Sequence, residues 1–378
     1  MPSMHMLIVS PIASHPQFQG NSQRIFRLCR LLQVLGYKIH FLYYTLEGLT
    51  PDQRKQMEAC WDYLHVVPCR PLDRSMSLGT HYGLDDWYDP QVSDIAAALH
   101  ARWKYCAVIV NYVWFSGVLE SLPVDLIKII DTHDVFGDRH LRSIAAGMKP
   151  EWFYTSQDEE LRGLLRADII LAIQDDEKAY FEQLGVPRVE VVGFITPPNF
   201  LPPRSYRSKP VIGYIASSNP WNVNSFRSLH AALENSSTAI ERFEFFLAGP
   251  ICDVIRSENR IFDIMGVVDR VDCFYRSVDI VLNPMLGGTG LKIKSIEALS
   301  YGRAFLTTTS GMIGIPSQYP QHNIQSISEI VSEIETIDVY SIDKLAFFSR
   351  EVFCKYTTEQ ISNFRYLFNE IKIHSDQI

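Results

Sequence analysis

The feature that most constrains this chain is a rhythm of short, apolar runs alternating with amphipathic stretches, interrupted once by proline. Met6–Val9, Lys38–Tyr44, His65–Pro68, Ala107–Val110, Lys128–Ile130, Ile169–Ile173 and Val189–Val192 are too short for helices and read as strands. Near-continuous apolar strands of this kind are buried on both faces, which requires parallel βαβ units covered by helices. Between them, Ser22–Leu35 places Ile25, Leu28, Leu31, Leu32 and Leu35 on one helical side, and Gly36 stops the helix. Ser93–Lys104 and Asp158–Arg166 read as further helices.

Between Thr196 and Pro210 the rhythm breaks at Thr-Pro-Pro-Asn-Phe-Leu-Pro-Pro-Arg-Ser, a run that can continue neither a helix nor a central strand. The alternation then restarts, with strands at Val211–Ile215, Glu244–Ala248, Ile280–Leu282 and Phe305–Thr307. Helices are expected around Ser225–Glu234, Arg270–Ser277 and Leu291–Tyr301. The expected fold is α/β, with two Rossmann-like domains facing each other across a cleft. Residues 1–203 form the first domain, 204–354 the second, and a C-terminal helix at about 355–378 packs back on the first. A length of 378 residues suits two cores better than one.

Charge and cysteine use narrow the function. A formal charge of -8 argues against a nucleic-acid partner, which needs a basic field. The seven cysteines stand singly with no Cys-x-x-Cys, so reduced thiols are expected and zinc is not. The strand from Met6 is too brief for a signal peptide, and no apolar run approaches the ~20 residues of a membrane span. The expected location is cytoplasmic, with contact at the inner membrane face allowed.

One stretch carries chemistry. The strand Ile280–Leu282 ends at Asn283-Pro284 and leads into Gly287-Gly288-Thr289-Gly290, then into a helix from Leu291 through Lys292, Ile293, Lys294 and Glu297 to Gly302. This order puts unpaired N–H groups and the positive helix end at the carboxyl edge of a parallel sheet, where such folds bind anions. Glycine there lets the backbone approach a diphosphate closely. The Glu297 carboxylate can accept from both hydroxyls of a ribose. On spacing alone the same residues also fit a surface turn followed by an exposed Lys–Glu helix pair.

The run Gly290-Leu291-Lys292-Ile293-Lys294-Ser295-Ile296-Glu297-Ala298-Leu299-Ser300-Tyr301-Gly302 resembles the donor signature of GT-B glycosyltransferases, in the retaining group called family four. The resemblance implies that Glu297 binds the donor ribose and that amides from Gly290 to Ile293 bind its diphosphate; Gly287, Gly288 and Thr289 complete the expected donor-binding set. Gly20-Asn21-Ser22-Gln23-Arg24 looks like the family's first glycine loop, in which Gly20 and Asn21 approach the donor. His133, in Asp131-Thr132-His133-Asp134, maps onto a histidine that contacts the donor sugar. The implied activity is hexosyl transfer from a nucleoside diphosphate sugar to a glycan or lipid-linked glycan hydroxyl, in cell-surface polysaccharide synthesis. The sugar nucleotide is a co-substrate, and no cofactor or metal is implied.

This chain departs from the family in two places. Thr289 stands where many members carry a glutamate that contacts the transferred sugar, and Ser217–Asn222 lacks their Arg/Lys pair. Lys292 and Lys294 are therefore expected to supply the phosphate charge. Asp134 and Asp138 are the available general bases should the reaction invert. Arg24, Arg27 and Arg30 recur as a basic helix stripe, read as a solvated face or a membrane contact. Thr80–Pro90, with His81, Tyr82, Asp85, Asp86, Trp87 and Tyr88, is a sugar-stacking wall or a packed loop. Asp-x-Asp, Gly-x-Ser-x-Gly, His-Glu-x-x-His and Walker sequences do not occur. A nucleotide-sugar 2-epimerase and a non-catalytic nucleotide-sugar binder are the competing readings.

Overall fold

The computed structural model describes residues 4–17, 19–71, 73–202, 209–268, 270–288 and 290–375. The chain divides into two units, residues 1–195 with 360–378, and residues 196–359.

The first unit runs β1 (Met4–Ser10), α1 (Gly20–Val34), β2 (Tyr37–Tyr44), α2 (Pro51–Cys60), β3 (Tyr63–Val67), α3 (Gln91–Trp103), β4 (Ala107–Asn111) and β5 (Ile127–Asp131). It continues with α4 (Arg139–Ala145), α5 (Gln157–Leu164), β6 (Ile169–Ala172), α6 (Asp175–Leu184) and β7 (Val189–Val191). Its seven strands are parallel in the order β3-β2-β1-β4-β5-β6-β7. Met6, Leu7, Ile8 and Val9 of β1 are almost wholly buried, as a central strand covered on both faces requires.

The second unit runs β8 (Val211–Ile215), α7 (Pro220–Glu234), α8 (Ser237–Arg242), β9 (Glu244–Ala248), α9 (Ile251–Ile255) and β10 (Asp263–Gly266). It ends with α10 (Val271–Ser277), β11 (Ile280–Asn283), α11 (Ile293–Tyr301), β12 (Ala304–Thr307) and α12 (Ile327–Thr336). Its parallel sheet has the order β10-β9-β8-β11-β12. In both sheets the strand order reverses beside the first strand of the unit, at β1/β4 and at β8/β11. Open α/β sheets form ligand crevices outside the strand ends at such switch points.

A last helix, α13 (Val339–Ser375), is 37 residues long. Its Phe364, Leu367, Phe368 and Ile371 are buried in the core of the first unit, where the Tyr37 hydroxyl donates to the Phe368 carbonyl at 2.7 Å.

The structure moves several expected boundaries. α7 begins at Pro220, because Asn219 caps it by accepting from Asn222 N at 2.9 Å and proline is favoured in a first turn. α11 begins at Ile293 rather than Leu291. The strand expected at His65–Pro68 is Tyr63–Val67. The edge strand β10 and helices α2, α6 and α12 were not anticipated.

Candidate functional site

In the second unit, the carboxyl ends of β8 and β11 lead into Ser217–Asn222 and into the Gly287–Lys292 loop. The loop is built around Trp221. A Cβ on Gly287 would come within 2.5 Å of the Trp221 ring, so only glycine lets the backbone lie against the indole. Gly288 and Gly290 have φ of +93° and +71°, in the left-handed region that glycine enters without strain. Thr289 lies outside the described residues. Leu291 is buried and anchors the loop. Lys292 precedes α11 without a side-chain cap, so the helix start presents N–H donors at the loop.

The two lysines part company. Lys292 Nζ folds back onto its own loop, donating to the Gly288 and Gly290 carbonyls at 3.2 and 2.8 Å. Lys294 Nζ crosses to β8 and α7. It donates to Asn222 Oδ1 at 2.5 Å, lies 3.4 Å from the Tyr214 hydroxyl and 5.2 Å from the centre of that ring. Burial, with a contribution from Lys292, pushes the Lys294 amine down to about 7. A lysine thus occupies the neighbourhood where the expected Arg/Lys pair is missing, reached from a different helix.

Glu297, one turn further along α11, accepts from the Tyr275 hydroxyl at 3.2 Å. Tyr275 is fully buried on α10 and stacks on Tyr301, with ring centres 4.1 Å apart. Sequence reading did not find Tyr275; its partner is 22 positions away on a separate helix.

In the first unit, His133 and Tyr112 follow the ends of β5 and β4, and both have positive φ, +63° and +74°. Bulky residues seldom adopt this conformation, and such strain concentrates at functional sites. Their rings stack with centres 4.2 Å apart. The Asn111 amide nitrogen donates to the Val9 carbonyl at 3.1 Å, so its oxygen faces His133 Nε2 at 2.9 Å. Nε2 must then carry the proton. Burial pushes the imidazole down to about 4, partly opposed by Asp131, so the neutral ring keeps Nδ1 as an acceptor.

Gly20 and Asn21 open α1, and Asn21 lies beside the buried Tyr112 phenol, on whose ring His133 stacks. Asp134 accepts from Val135 N at 2.9 Å and lies 3.4 Å from Arg139. Asp138, the other candidate base, accepts from the Gln157 amide at 2.8 Å.

The basic stripe on α1 is not present. Arg24 is buried; its Nε and Nη2 reach Asp131 at 2.9 and 2.6 Å and its Nη1 donates to the Val192 carbonyl at 2.8 Å. Arg30 is exposed and bonds Gln33 at 2.6 Å. Thr80–Pro90 is a packed loop: Arg166 holds Asp85 at 2.6 Å, Asp86 accepts from Ser77 N and Gly83 N, and Trp87 packs edge-on against Trp114. Two buried carboxyls escaped notice in the sequence. Burial pushes Glu160 up to about 7, and burial with Asp134 pushes Glu177 up to about 8.

Among the described residues, no group of three His, Cys, Asp or Glu side chains could hold a metal ion, and no helix is long and apolar enough to cross a membrane.

Residues 209–327 match the family described as glycosyl transferases group 1. No curated protein sequence matches the chain. Among solved structures, Anabaena HepE is similar at 12% identity and TM-score 0.68, covering 98% of this chain and 99% of that one. Sucrose-phosphate synthase of Thermosynechococcus elongatus is similar at 14% identity and TM-score 0.68, covering 97% and 100%. TarM, known from S. aureus, is similar at 9% identity and TM-score 0.70, covering 98% and 99%. The chain therefore has the two-unit, Rossmann-like GT-B fold, and the match to the glycosyl transferases group 1 family lies within its second unit.

Proposed function

We propose that the chain is a nucleotide-sugar glycosyltransferase that moves a hexosyl group to a hydroxyl of a glycan or lipid-linked glycan. The observation that carries this reading is the glycine loop and helix after β11. Gly287, Gly288 and Gly290 bring backbone close to a helix start, with Lys294 and Glu297 beside it, inside the segment that matches the glycosyl transferases group 1 family. Helix-start amides and a lysine suit a diphosphate, and a carboxylate suits a ribose.

In this reading Gly287 to Ile293 cradle the diphosphate, Lys294 adds positive charge and Glu297 takes the ribose. His133 accepts a donor-sugar hydroxyl at Nδ1, while Gly20 and Asn21 at the start of α1 lie beside it. We read the reaction as metal-independent and retaining, because the leaving diphosphate can assist from the same face. Asp134 and Asp138 are both held by neighbours, which favours this over an inverting base. A hexosyl donor is supported by relatives: HepE has been solved with UDP-glucose, and S. aureus TarM with α-GlcNAc-glycerol and UDP. A role in cell-surface polysaccharide assembly at the cytoplasmic membrane face belongs to the same proposal.

The test is a thermal-shift screen of UDP-, GDP- and ADP-sugars, followed by incubation of any stabilising donor with glycan acceptors. Stabilisation by one nucleotide class and acceptor-dependent release of its nucleoside diphosphate are expected. Stabilisation by none would remove the reading. Conversion of the sugar without an acceptor would replace it with epimerisation.

A further inference from the structure

We propose that Tyr275 is a positioning residue for Glu297, through which the second unit prefers ribonucleotides to deoxyribonucleotides; this rests on the reading of Glu297 as the ribose-binding group.

A glutamate reaches its carboxylate through three rotatable bonds, and ordering them on binding costs free energy. Tyr275 removes part of that cost beforehand by donating to Oε2 at 3.2 Å. The donor is itself fixed. Its ring is fully buried and lies on Tyr301 with planes 14° apart, and its backbone carbonyl accepts from Arg303 Nε at 2.9 Å. Tyr301 stands four residues after Glu297 on α11, so one helix carries both the carboxylate and the surface that seats its donor. Arg303 follows that helix directly and ties α10 to it.

The chemistry suits a vicinal diol. A carboxylate offers about four acceptor positions, and one phenol occupies only one of them. Burial and the adjacent Glu297 carboxylate hold the Tyr275 hydroxyl well above the usual phenol range, so it remains a donor. The arrangement therefore fixes the direction from which the carboxylate meets the two ribose hydroxyls.

The experiment is calorimetric titration of the full chain with UDP, GDP and ADP, each beside its 2′-deoxy counterpart. For the nucleotide that binds, the wild type is expected to favour the ribo form by about tenfold or more, the usual size of a hydrogen bond to a charged group. Tyr275→Phe keeps the ring and the stack and is expected to lower that ratio by about threefold or more. Tyr275→Met, which also lacks the hydroxyl, should lower it similarly, and neither change should alter the ratio further in a Glu297→Gln background. Equal weakening of ribo and deoxy forms, with the ratio unchanged, would overturn the assignment and leave Tyr275 a packing residue. A wild type with no ribo preference, or one that binds none of the three, overturns the reading of Glu297 as well, so the two failures are distinguishable.

Discussion

The Lys294 amine donates to the Asn222 carboxamide at 2.5 Å, joining the first turn of α11 to the first turn of α7 across the β8/β11 switch point. Among the described residues, the groups that face it are Asn222 on α7, Tyr214 on β8, Met285 beyond β11 and Lys292 before α11. None of them is an anion.

That setting predicts a proton linkage. With the free amine near 7, a diphosphate favours the charged form and raises it. Below pH 7 the proton is already in place. Above it, binding must take one up, so affinity falls with rising pH by at most about tenfold per unit. Titration of UDP in buffers of different ionisation enthalpy at pH 8 should show net proton uptake. In Lys294→Met the uptake should vanish and affinity at pH 7 should drop about tenfold or more, a charge-assisted bond being lost.

The Trp221–Gly287 contact predicts a conditional defect. Gly287→Ala forces a methyl group into the indole face and should cost about 1–3 kcal/mol of stability, the usual range for overpacking. Donor affinity should fall with it. Trp221→Ala in the same protein is expected to restore much of the loss, which denaturant unfolding of the four variants can measure. Simple additivity of the two changes would contradict the contact.

In the first unit, Arg24 and Asp131 form a buried ion pair. Asp131→Ala leaves the buried guanidinium without its carboxylate partner, with Nη1 still on the Val192 carbonyl, and should destabilise by about 3–5 kcal/mol. Arg24→Met with Asp131→Leu is expected to be milder than either single change. Urea unfolding that ranks the double variant as the worst would count against this account.

Buried titratable groups set opposing pH trends. Glu177 is raised from 4.5 to about 8, so its contribution is complete below pH 4.5 and disappears as the pH rises through 8. His40, His133 and His322 are lowered from 6.5 to about 3, 4 and 4, so theirs is present above pH 6.5 and disappears as the pH falls through those values. Melting temperature should therefore decline on both sides of a weakly acidic maximum. Glu177→Gln should flatten the alkaline decline between pH 6 and 9 and leave the acid side unchanged; an unaltered alkaline slope would contradict the assignment.

Local patterns made the sheets readable. Leu7-Ile8-Val9 and Ile280–Leu282 announce buried parallel strands because both of their faces are apolar. The Gly287–Gly290 stretch was legible as a loop because three glycines in four residues continue neither a strand nor a helix. β10 was not, since Asp263–Gly266 is an edge strand that is exposed or half-buried and lacks an apolar run. Pairings set by the tertiary fold were hidden as well. Arg24 and Asp131 are 107 positions apart, and nothing near either shows that the arginine is not on a solvated face. Neither the left-handed backbone at Tyr112 and His133 nor the phenol on Glu297 leaves a local mark, since all three are imposed by neighbouring strands and helices.

The close approach of Trp221 to Gly287 also bears on how such a loop can change over generations. While the indole stays, any side chain at position 287 meets it within 2.5 Å. A lineage acquiring a functional group there would have to shrink the tryptophan first. The order of substitutions is therefore constrained, and transplanting a relative's loop residue by residue would pass through a defective intermediate that transplanting the pair together avoids.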